Sequence, residues 1–225
     1  MGTLKIIDEL LASLGPSAES GQGQQWAGQC ARLLGLDGVA VTLEEELDWF
    51  SDRTSARLED MQFVLGHGPG LPPEPQLCLV PDVRHQAEEH WPQFAAEAET
   101  LGVAALFVWP VRLGAVAAGT LTGYRRTPGP LTVRQAAAGW LVTDVLAGHV
   151  LAHWPTAAAS AAADGPGTTG EVDMHRAEVH QATGVLSVRL GVPLAAALAR
   201  LRAQAYAAGR SLTEAAHDIL KDLPQ

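Results

Sequence analysis

Residues 155–170 divide this chain of 225 residues. They read PTAAASAAADGPGTTG and hold no large apolar side chain. Such a stretch cannot bury enough surface to offset the entropy of ordering it, so we predict a linker, although its alanine-rich half is compatible with an extension of the preceding helix. All six tryptophans lie before it, namely Trp26, Trp49, Trp91, Trp109, Trp140 and Trp154. The sequence therefore predicts two domains with different cores, residues 1–154 and 171–225.

Charge is unevenly distributed between these two predicted domains. The chain has 15 basic and 25 acidic residues, which gives a net charge of −10. Residues 171–225 contain six basic and six acidic residues, so the other 9 basic and 19 acidic residues carry the whole net charge. An acidic surface repels nucleic acid. If the chain binds nucleic acid, the sequence favours the C-terminal domain as the binding part.

The first 154 residues mix helical and strand patterns. Apolar residues recur at helical spacing over 4–14, 18–34, 55–65, 88–100 and 131–154. Strand patterns occupy 38–43, 47–50, 77–80, 103–113 and 116–124. An antiparallel sheet flanked by helices satisfies this order, so the predicted fold class is α+β. The long apolar stripes of the two terminal helices predict a homodimer.

The C-terminal domain is predicted to be all-α, with three helices. Apolar residues recur at helical spacing over 179–190 and 194–205. Pro193 is placed to be the first residue of the second helix, where its missing N–H costs nothing. Ser211 and Glu214 match a capping box at the start of the third helix.

The sequence contains none of the common catalytic motifs. The glycine-rich stretch 65–70 lacks the Gly-Lys-Ser/Thr of a phosphate-binding loop, and the chain has no Gly-x-Ser-x-Gly and no Cys-x-x-Cys. His149 and His153 have metal-ligand spacing but no third ligand, so we interpret them as surface or interface residues. Cys30 and Cys78 lie among apolar neighbours and are interpreted as core residues. We predict that the protein is not an enzyme and holds no metal and no cofactor.

Targeting signals are also missing from the sequence. No run of about 18 uncharged apolar residues is present. Lys5, Asp8 and Glu9 interrupt the apolar pattern at the N-terminus, which argues against a signal peptide. The sequence predicts a cytoplasmic protein with no membrane partner.

Five residues of the C-terminal domain are the candidate binding residues. They are Arg189, Arg200, Arg202, Tyr206 and Arg210. Arginine binds phosphates and an aromatic face stacks on unpaired bases, so gathered on one surface they would suit RNA. The alternative is that the arginines are solvated and pair locally with acidic neighbours, which are Glu178, Glu214 and Asp218.

Three stretches of the C-terminal domain, 179–192, 197–206 and 209–216, carry ordered motifs. The motifs are Gln-Ala-x-Gly, Ala-x-x-x-Leu-Arg-x-x-Ala and Arg-x-Leu-x-x-x-Ala. Over about residues 171–222 they resemble the ANTAR domain, the three-helix RNA-binding module of bacterial antitermination regulators. The resemblance implies binding to hairpin loops of nascent transcripts, which prevents a terminator from forming. The family usually has lysine where this chain has Thr183.

Stretches of the N-terminal domain, 58–70, 91–94, 102–103 and 109–111, also carry a resemblance. Over roughly residues 3–154 they are similar to the GAF domains that precede ANTAR in actinobacterial regulators. GAF domains are sensor modules, so the resemblance implies a small-molecule or redox signal and a dimer that presents two RNA-binding modules. The family usually has glutamate where this chain has His67.

Two other functions stay open from the sequence. The first is a sensor or scaffold whose C-terminal helices bind a protein partner without binding RNA, which Thr183, His67 and the neutral C-terminal domain favour. The second is duplex DNA binding by a helix-turn-helix, which the net charge of −10 disfavours.

Overall fold

The computed structural model describes residues 20–43, 47–69, 76–87, 90–161 and 171–222. Within these ranges it describes the backbone alone at 20–22, 47–48, 86–87, 150, 152–161 and 171–176. The predicted helix over 4–14 and residues 162–170 of the predicted linker lie outside the described residues. The chain separates into two compact units: an N-terminal unit of residues 1–63 and 67–165, and a C-terminal unit of residues 166–225 together with 64–66.

In its described residues, the N-terminal unit contains at least four α-helices, a short π-helix and five strands. The helices are α1 (Ser20–Leu34), α2 (Arg53–Leu65), the π-helix (Val83–Ala87), α3 (Pro92–Thr100) and α4 (Val133–Ala161). The strands are β1 (Gly38–Leu43), β2 (Leu47–Phe50), β3 (Cys78–Val80), β4 (Ala105–Leu113) and β5 (Val116–Arg125). They form one antiparallel sheet in the order β2-β1-β5-β4-β3. The predicted α+β fold class is confirmed.

One face of this sheet carries the hydrophobic core. Val41, Leu121 and Trp109 lie side by side across β1, β5 and β4, and they share a face because strand side chains alternate. Helices α1 and α4 pack on this face. The core includes Trp26, Leu34, Val39, Phe107, Val111, Val142 and Leu146. Burial of these apolar side chains is the main force that holds the helices on the sheet.

Several predicted boundaries of the N-terminal unit differ from the observed ones. α1 ends at Leu34, as predicted, and is followed by Gly35, whose φ of 64° is left-handed, the conformation that commonly ends a helix. α3 starts at Pro92, since proline is favoured in the first turn of a helix. Before it, residues 88–89 of the helix predicted over 88–100 lie outside the described residues, and His90 is helical. α4 continues to Ala161 and therefore includes residues 155–161 of the predicted linker. Alanine has the highest helix propensity, which accounts for the extension.

The described residues of the C-terminal unit form three helices, as predicted. They are α5 (Glu171–Leu190), α6 (Leu194–Ala207) and α7 (Leu212–Lys221). Their shared core contains Val179, Ala182, Leu186, Ala197, Leu201, Ala205, Leu212 and Ala216. Pro193 is the N-cap of α6 and not its first helical residue, which corrects the prediction by one position. Both hydrogen bonds of the predicted capping box at Ser211 and Glu214 are present.

None of the described helices is by itself both long enough and apolar enough to cross a bilayer. The segments Ala177–Leu190 and Leu194–Ala207 reach that length and apolarity only as a pair, and they are bent by 108° at the break between them.

Candidate functional site

Helix α6 carries three of the five predicted binding residues, and its buried stripe determines where they lie. Ala197, Leu201 and Ala205 face the core of the C-terminal unit. Successive α-helical residues are about 100° apart, so residues 200 and 202 lie on opposite flanks of that stripe. Tyr206 follows Arg202 by four residues and shares its flank. The sequence hypothesis of one shared arginine surface therefore does not hold for Arg200 and Arg202.

The flank formed by Arg202 and Tyr206 combines a cation with an exposed aromatic ring. Tyr206 is 79% exposed. This is unusual for a large aromatic residue on a helix that also contributes to a hydrophobic core. Arg202 is half-buried, and this burial lowers the pKa of its guanidinium below its ordinary value. A flat ring beside a guanidinium is an arrangement that binds unpaired bases by stacking and phosphates by charge.

Arg189 and Arg210 are engaged by α7. A nitrogen of Arg189, Nη2, donates a hydrogen bond to the backbone carbonyl of Asp222, at 2.9 Å. Arg210 pairs with the carboxylate of Asp218. The ion pair raises the pKa of Arg210 and lowers that of Asp218, mainly through the side-chain hydrogen bond between them. At Arg210 the structure therefore shows the alternative interpretation, in which the arginine pairs locally with an acidic neighbour.

Thr183 is a core residue of α5. It is buried, and its hydroxyl donates to the backbone carbonyl of Val179 at 2.7 Å. Ala182 is fully buried next to it, whereas Gln181 is exposed and Gly184 is half-buried. A threonine that satisfies its own hydroxyl within the helix suits this position. The place where the resembling family usually has lysine is thus filled here by a packed residue.

The second face of the sheet in the N-terminal unit is more polar than the first. Thr42, Thr120 and Thr122 lie on it, opposite to the core side chains. The buried Glu59 of α2 accepts hydrogen bonds from the hydroxyl of Thr42, at 3.4 Å, and from Nε2 of Gln62, at 3.2 Å. The hydroxyl of Thr122 is buried without a hydrogen-bond partner in the described part of the chain. We call Thr42, Glu59, Gln62, Thr120 and Thr122 the polar layer.

Among the described residues, the cysteines and histidines do not form a reactive site. Cys30 is buried, and burial raises the pKa of its thiol to about 12. Burial also raises the pKa of Cys78. The described residues contain no group of three or more side chains placed to hold a metal ion. His149 contacts the ring of Trp49, whereas the side chain of His153 lies outside the described residues.

The C-terminal helices match a family model. Residues 173–220 match the model of the ANTAR domain. The chain carries an ANTAR domain. The match covers α6 and nearly all of α5 and α7, so Arg202, Tyr206 and the Arg210–Asp218 pair all belong to the ANTAR domain.

No curated protein matches the chain. Several solved structures are similar to it, among them the following two. One is a domain of a protein described as a two-component sensor histidine kinase from Sinorhizobium meliloti, 18% identical over 60% of this chain and 92% of that one, with a TM-score of 0.49. The other is the chromophore-binding domain of a bacteriophytochrome from R. palustris, 12% identical over 68% of this chain and 62% of that one, with a TM-score of 0.43.

Sequence reasoning missed two features of these surfaces. It did not identify the polar layer, because residues such as Thr42 and Glu59 come together only when α2 packs against the sheet. It also did not foresee that Asp222, through its backbone carbonyl, contacts Arg189. A signal for the first feature exists in β5, where threonines at positions 120 and 122 alternate with Leu121.

Proposed function

We propose that this protein is an RNA-binding regulator of transcription antitermination, and that the Arg202 and Tyr206 flank of α6 contacts the RNA. The single observation that carries the proposal is the ANTAR match over residues 173–220. The family resemblance implies that the target is a hairpin loop of a nascent transcript, held so that a terminator does not form.

The exposed ring of Tyr206 supports a loop target over a duplex. Bases in a hairpin loop are unstacked and free to stack on an aromatic side chain, whereas bases in a duplex are not. Arg202 on the same flank is placed to contact a phosphate next to the stacked base. The C-terminal unit has no net charge, so few cations are available and the affinity depends on salt with a shallow slope.

The experiment titrates the full chain with tandem hairpin RNA and with duplex DNA at two salt concentrations. Arg202→Ala is expected to weaken RNA binding by about tenfold. Arg200→Ala is the matched control, because it removes the same charge from the opposite flank of the same helix. Equal losses in both variants would contradict a one-sided contact, and an unchanged RNA affinity in Arg202→Ala would contradict the assignment of the flank. A wild-type chain that binds neither the RNA nor the DNA would contradict the proposal as a whole.

The N-terminal unit is proposed to be a GAF-like sensor that binds a small molecule at the polar layer. The buried hydroxyl of Thr122 has no hydrogen-bond partner in the described part of the chain, which is costly unless a ligand or water completes its hydrogen bonds. A small-molecule signal is favoured over a thiol redox signal, because the thiolate is the reactive form and the pKa values of Cys30 and Cys78 are both raised.

Native mass spectrometry of the full chain purified from cells tests this sensor. A small molecule that co-purifies with the wild type is expected to be lost from Glu59→Gln and Thr122→Val. Thr100→Val is the control. The exposed hydroxyl of Thr100 lies outside the polar layer, and in the described residues it donates to the carbonyl of Ala96 in its own helix. Retention of the molecule by both layer variants would contradict a site at the polar layer.

The proposed regulator acts by binding and performs no catalysis. It is a cytoplasmic homodimer that presents two ANTAR domains to paired RNA loops, and the signal at the N-terminal unit changes how they are presented. The ANTAR resemblance and the apolar stripe predicted for the helix over 131–154 support this arrangement.

The second candidate function is protein binding by the C-terminal helices without RNA. It is favoured by Val188 and Leu194, which are 84% and 61% exposed, and by the engagement of Arg210 with Asp218. The nucleic-acid titration separates the two candidates, because a protein-binding module leaves both RNA and DNA unbound.

A further inference from the structure

One end of the sheet in the N-terminal unit carries a group of arginines. Four of the nine basic residues that precede residue 171 lie where β5 ends or in the segments beside that end. Arg125 is the last residue of β5, and Arg126 follows it. Arg53 begins α2, and Arg134 lies in the first turn of α4. We call these four arginines the basic end.

Arg126 lies between the end of β5 and the start of α2. Its Nη2 donates a hydrogen bond to the hydroxyl of Thr54, at 3.3 Å. Its guanidinium carbon lies 5.7 Å from the centre of the Tyr124 ring. Arg53 is the neighbour of Thr54 in the sequence, so Arg53 and Arg126 both lie beside the start of α2. Both arginines are exposed, and their charges face the solvent.

Arg125 connects the end of β5 to the ends of two helices. Its Nε donates a hydrogen bond to the carbonyl of Gly35, at 3.0 Å, just after the end of α1. Its Nη1 donates to the carbonyl of Pro130, at 3.3 Å, four residues before the exposed Arg134 of α4. The two carbonyls orient this guanidinium, but they carry no formal charge and leave its charge uncompensated.

Positive charge exceeds negative charge at the basic end. None of its four arginines forms an ion pair within the part of the chain that the structure describes. Two acidic residues lie next to it. The carboxylate of Asp37 accepts the backbone N–H of Arg126, at 2.7 Å. That of Asp52 accepts the backbone N–H of Ser55, at 2.9 Å, and the hydroxyl of Tyr124, at 3.1 Å. Both carboxylates are thus held by other donors.

Charged residues beyond β3, at the same edge of the sheet, interact with one another. Arg84 pairs with Glu99, and His85 contacts Asp82 at 3.0 Å. β3 is two strands away from β5 in the sheet order. These contacts therefore leave the excess of positive charge at the basic end in place.

We propose that the basic end binds backbone phosphates of the transcript strand that flanks the hairpin held by the ANTAR domain. This inference rests on the proposed function and extends RNA binding to the N-terminal unit, although that unit carries the acidic net charge. Arginine presents a planar fork of N–H donors that matches the oxygens of a phosphate. Several arginines without carboxylate partners suit a strand whose negative charges repeat at every nucleotide.

A flanking RNA strand is favoured over other polyanions because the same chain carries an ANTAR domain. Once one segment of a transcript is bound, the strand next to it is held at a high effective concentration. Contacts that are weak by themselves then add to the affinity of the first site. An acidic protein or an anionic membrane gains no such advantage from the ANTAR domain.

Titration of the full chain with two RNAs tests the proposal. One RNA is the tandem hairpin alone, and the other carries a single-stranded flank on each side of it. At low salt the wild type is expected to bind the flanked RNA about tenfold more tightly than the bare hairpin. The salt dependence for the flanked RNA is expected to be steeper by about two to three units of slope, since each neutralised phosphate of a single strand adds about 0.7.

A triple variant with Arg53→Ser, Arg126→Ser and Arg134→Ser is expected to lose the gain from the flanks and to keep the affinity for the bare hairpin. These side chains are exposed, so we expect the variant to fold. Arg112→Ser is the control for Arg126→Ser alone, because it removes an equal charge at the opposite end of β5 and its partner β4. Equal losses in these two single variants would assign the gain to general charge and overturn the proposal.

The flanks separate this inference from the proposed function. A wild type that binds the hairpin but gains nothing from the flanks would overturn the inference alone. A wild type that binds neither RNA would overturn the proposed function and the inference with it. A gain from the flanks that persists in the triple variant would show that another surface holds the strand.

Photocrosslinking with thiouridine in the flanks locates the strand directly. Crosslinked peptides from the wild type are expected to include residues 126–134, and crosslinks confined to other peptides would overturn the proposal. Vesicles of phosphatidylglycerol and polyglutamate are the two competing polyanions. Binding of either one that is lost in the triple variant, together with a retained gain from the flanks, would assign the basic end to a membrane or to an acidic protein instead of RNA.

Discussion

Arg210 and Asp218 form an ion pair that joins the α6–α7 turn to the exposed side of α7. Both side chains are about half exposed, so solvent screens the pair and its contribution to stability is small. Its importance lies in function, because Arg210 is one of the arginines predicted to contact RNA. While the pair is intact, the charge of Arg210 is already neutralised by a carboxylate.

Asp218→Asn is predicted to strengthen RNA binding. The substitution removes the carboxylate that engages Arg210, so the guanidinium becomes available for a phosphate. We expect an affinity increase of about threefold, with the salt dependence steeper by up to about one unit of slope. Titration of the full chain at two salt concentrations measures both quantities.

Asp222→Asn is the matched control for Asp218→Asn. It removes the same charge at the end of the same helix, but only the backbone carbonyl of Asp222 contacts an arginine. Equal gains in the two variants would mean that general charge, and not the release of Arg210, changes the affinity.

Tyr206→Ala is predicted to impair RNA binding without affecting folding. The ring is 79% exposed, so its removal leaves no cavity in the C-terminal core. Stacking of a base on an aromatic ring is worth about 1–3 kcal/mol, which corresponds to a loss of about fivefold or more. Tyr206→Phe keeps the ring and is expected to bind like the wild type. Equal losses in the Ala and Phe variants would point to the hydroxyl instead of the ring.

Ser211→Ala is predicted to destabilise the C-terminal unit by about 1 kcal/mol, because the capping box at the start of α7 is lost. All six tryptophans lie before residue 155, so tryptophan fluorescence follows the N-terminal unit while far-ultraviolet circular dichroism follows all the helices. We expect the change in the second signal and not in the first. Thr213→Ala, in the first turn of the same helix, is the control, and an equal effect there would argue against the cap.

Acid is predicted to weaken the C-terminal unit. Hydrogen bonds from the backbone and hydroxyl of Ser211 lower the pKa of Glu214, and the bond from Arg210 lowers that of Asp218. Because the folded state favours both carboxylates, their stabilisation is complete above the ordinary pKa values of 4.5 and 3.8 and is lost as the pH falls below these values, through the lowered pKa values of the folded state.

Helix melting of the full chain as a function of pH measures this acid effect. A double variant with Glu214→Gln and Asp218→Asn is expected to lose less stability on acidification than the wild type. An identical pH dependence in both chains would assign the acid sensitivity to other carboxyl groups.

Gly139→Ala is predicted to destabilise the N-terminal unit. A Cβ at Gly139 would lie 2.2 Å from the indole of Trp109, which is completely buried and donates a hydrogen bond to the carbonyl of Ala136 at 3.3 Å. Overpacking of this kind costs about 1–3 kcal/mol. Gly28→Ala in α1 has space around its Cβ and is the control, expected to be neutral or stabilising. Urea unfolding followed by tryptophan fluorescence measures both, and an equally stable Gly139→Ala would contradict the close packing of α4.

Local chemistry made several elements predictable. The capping box at Ser211 and the C-cap at Gly35 each depend on residues within four positions of one another, so the sequence contains all the information they need. The π-helix at Val83–Ala87 was not predicted, since its distinction from other turns lies in backbone hydrogen bonds that leave no clear residue pattern.

The candidate site is likewise predictable from the sequence only in part. Spacing alone determines that Arg202 and Tyr206 share a flank of α6 and that Arg200 does not. It does not determine that Arg210 meets Asp218 or that Arg189 meets the end of α7, because these contacts depend on how three helices pack.

The sequence by itself determined the α+β class of the first unit, the three helices of the second and the motifs that the ANTAR model matches, because periodicity and capping act over a few residues. Tertiary structure alone decided which contacts engage Arg189 and Arg210, that α2 buries Glu59 against the sheet and that α4 buries Val142 and Leu146 while Val133 and Leu151 stay exposed. These features depend on contacts between segments that are far apart in the chain. The local sequence does not determine how closely two such helices pack.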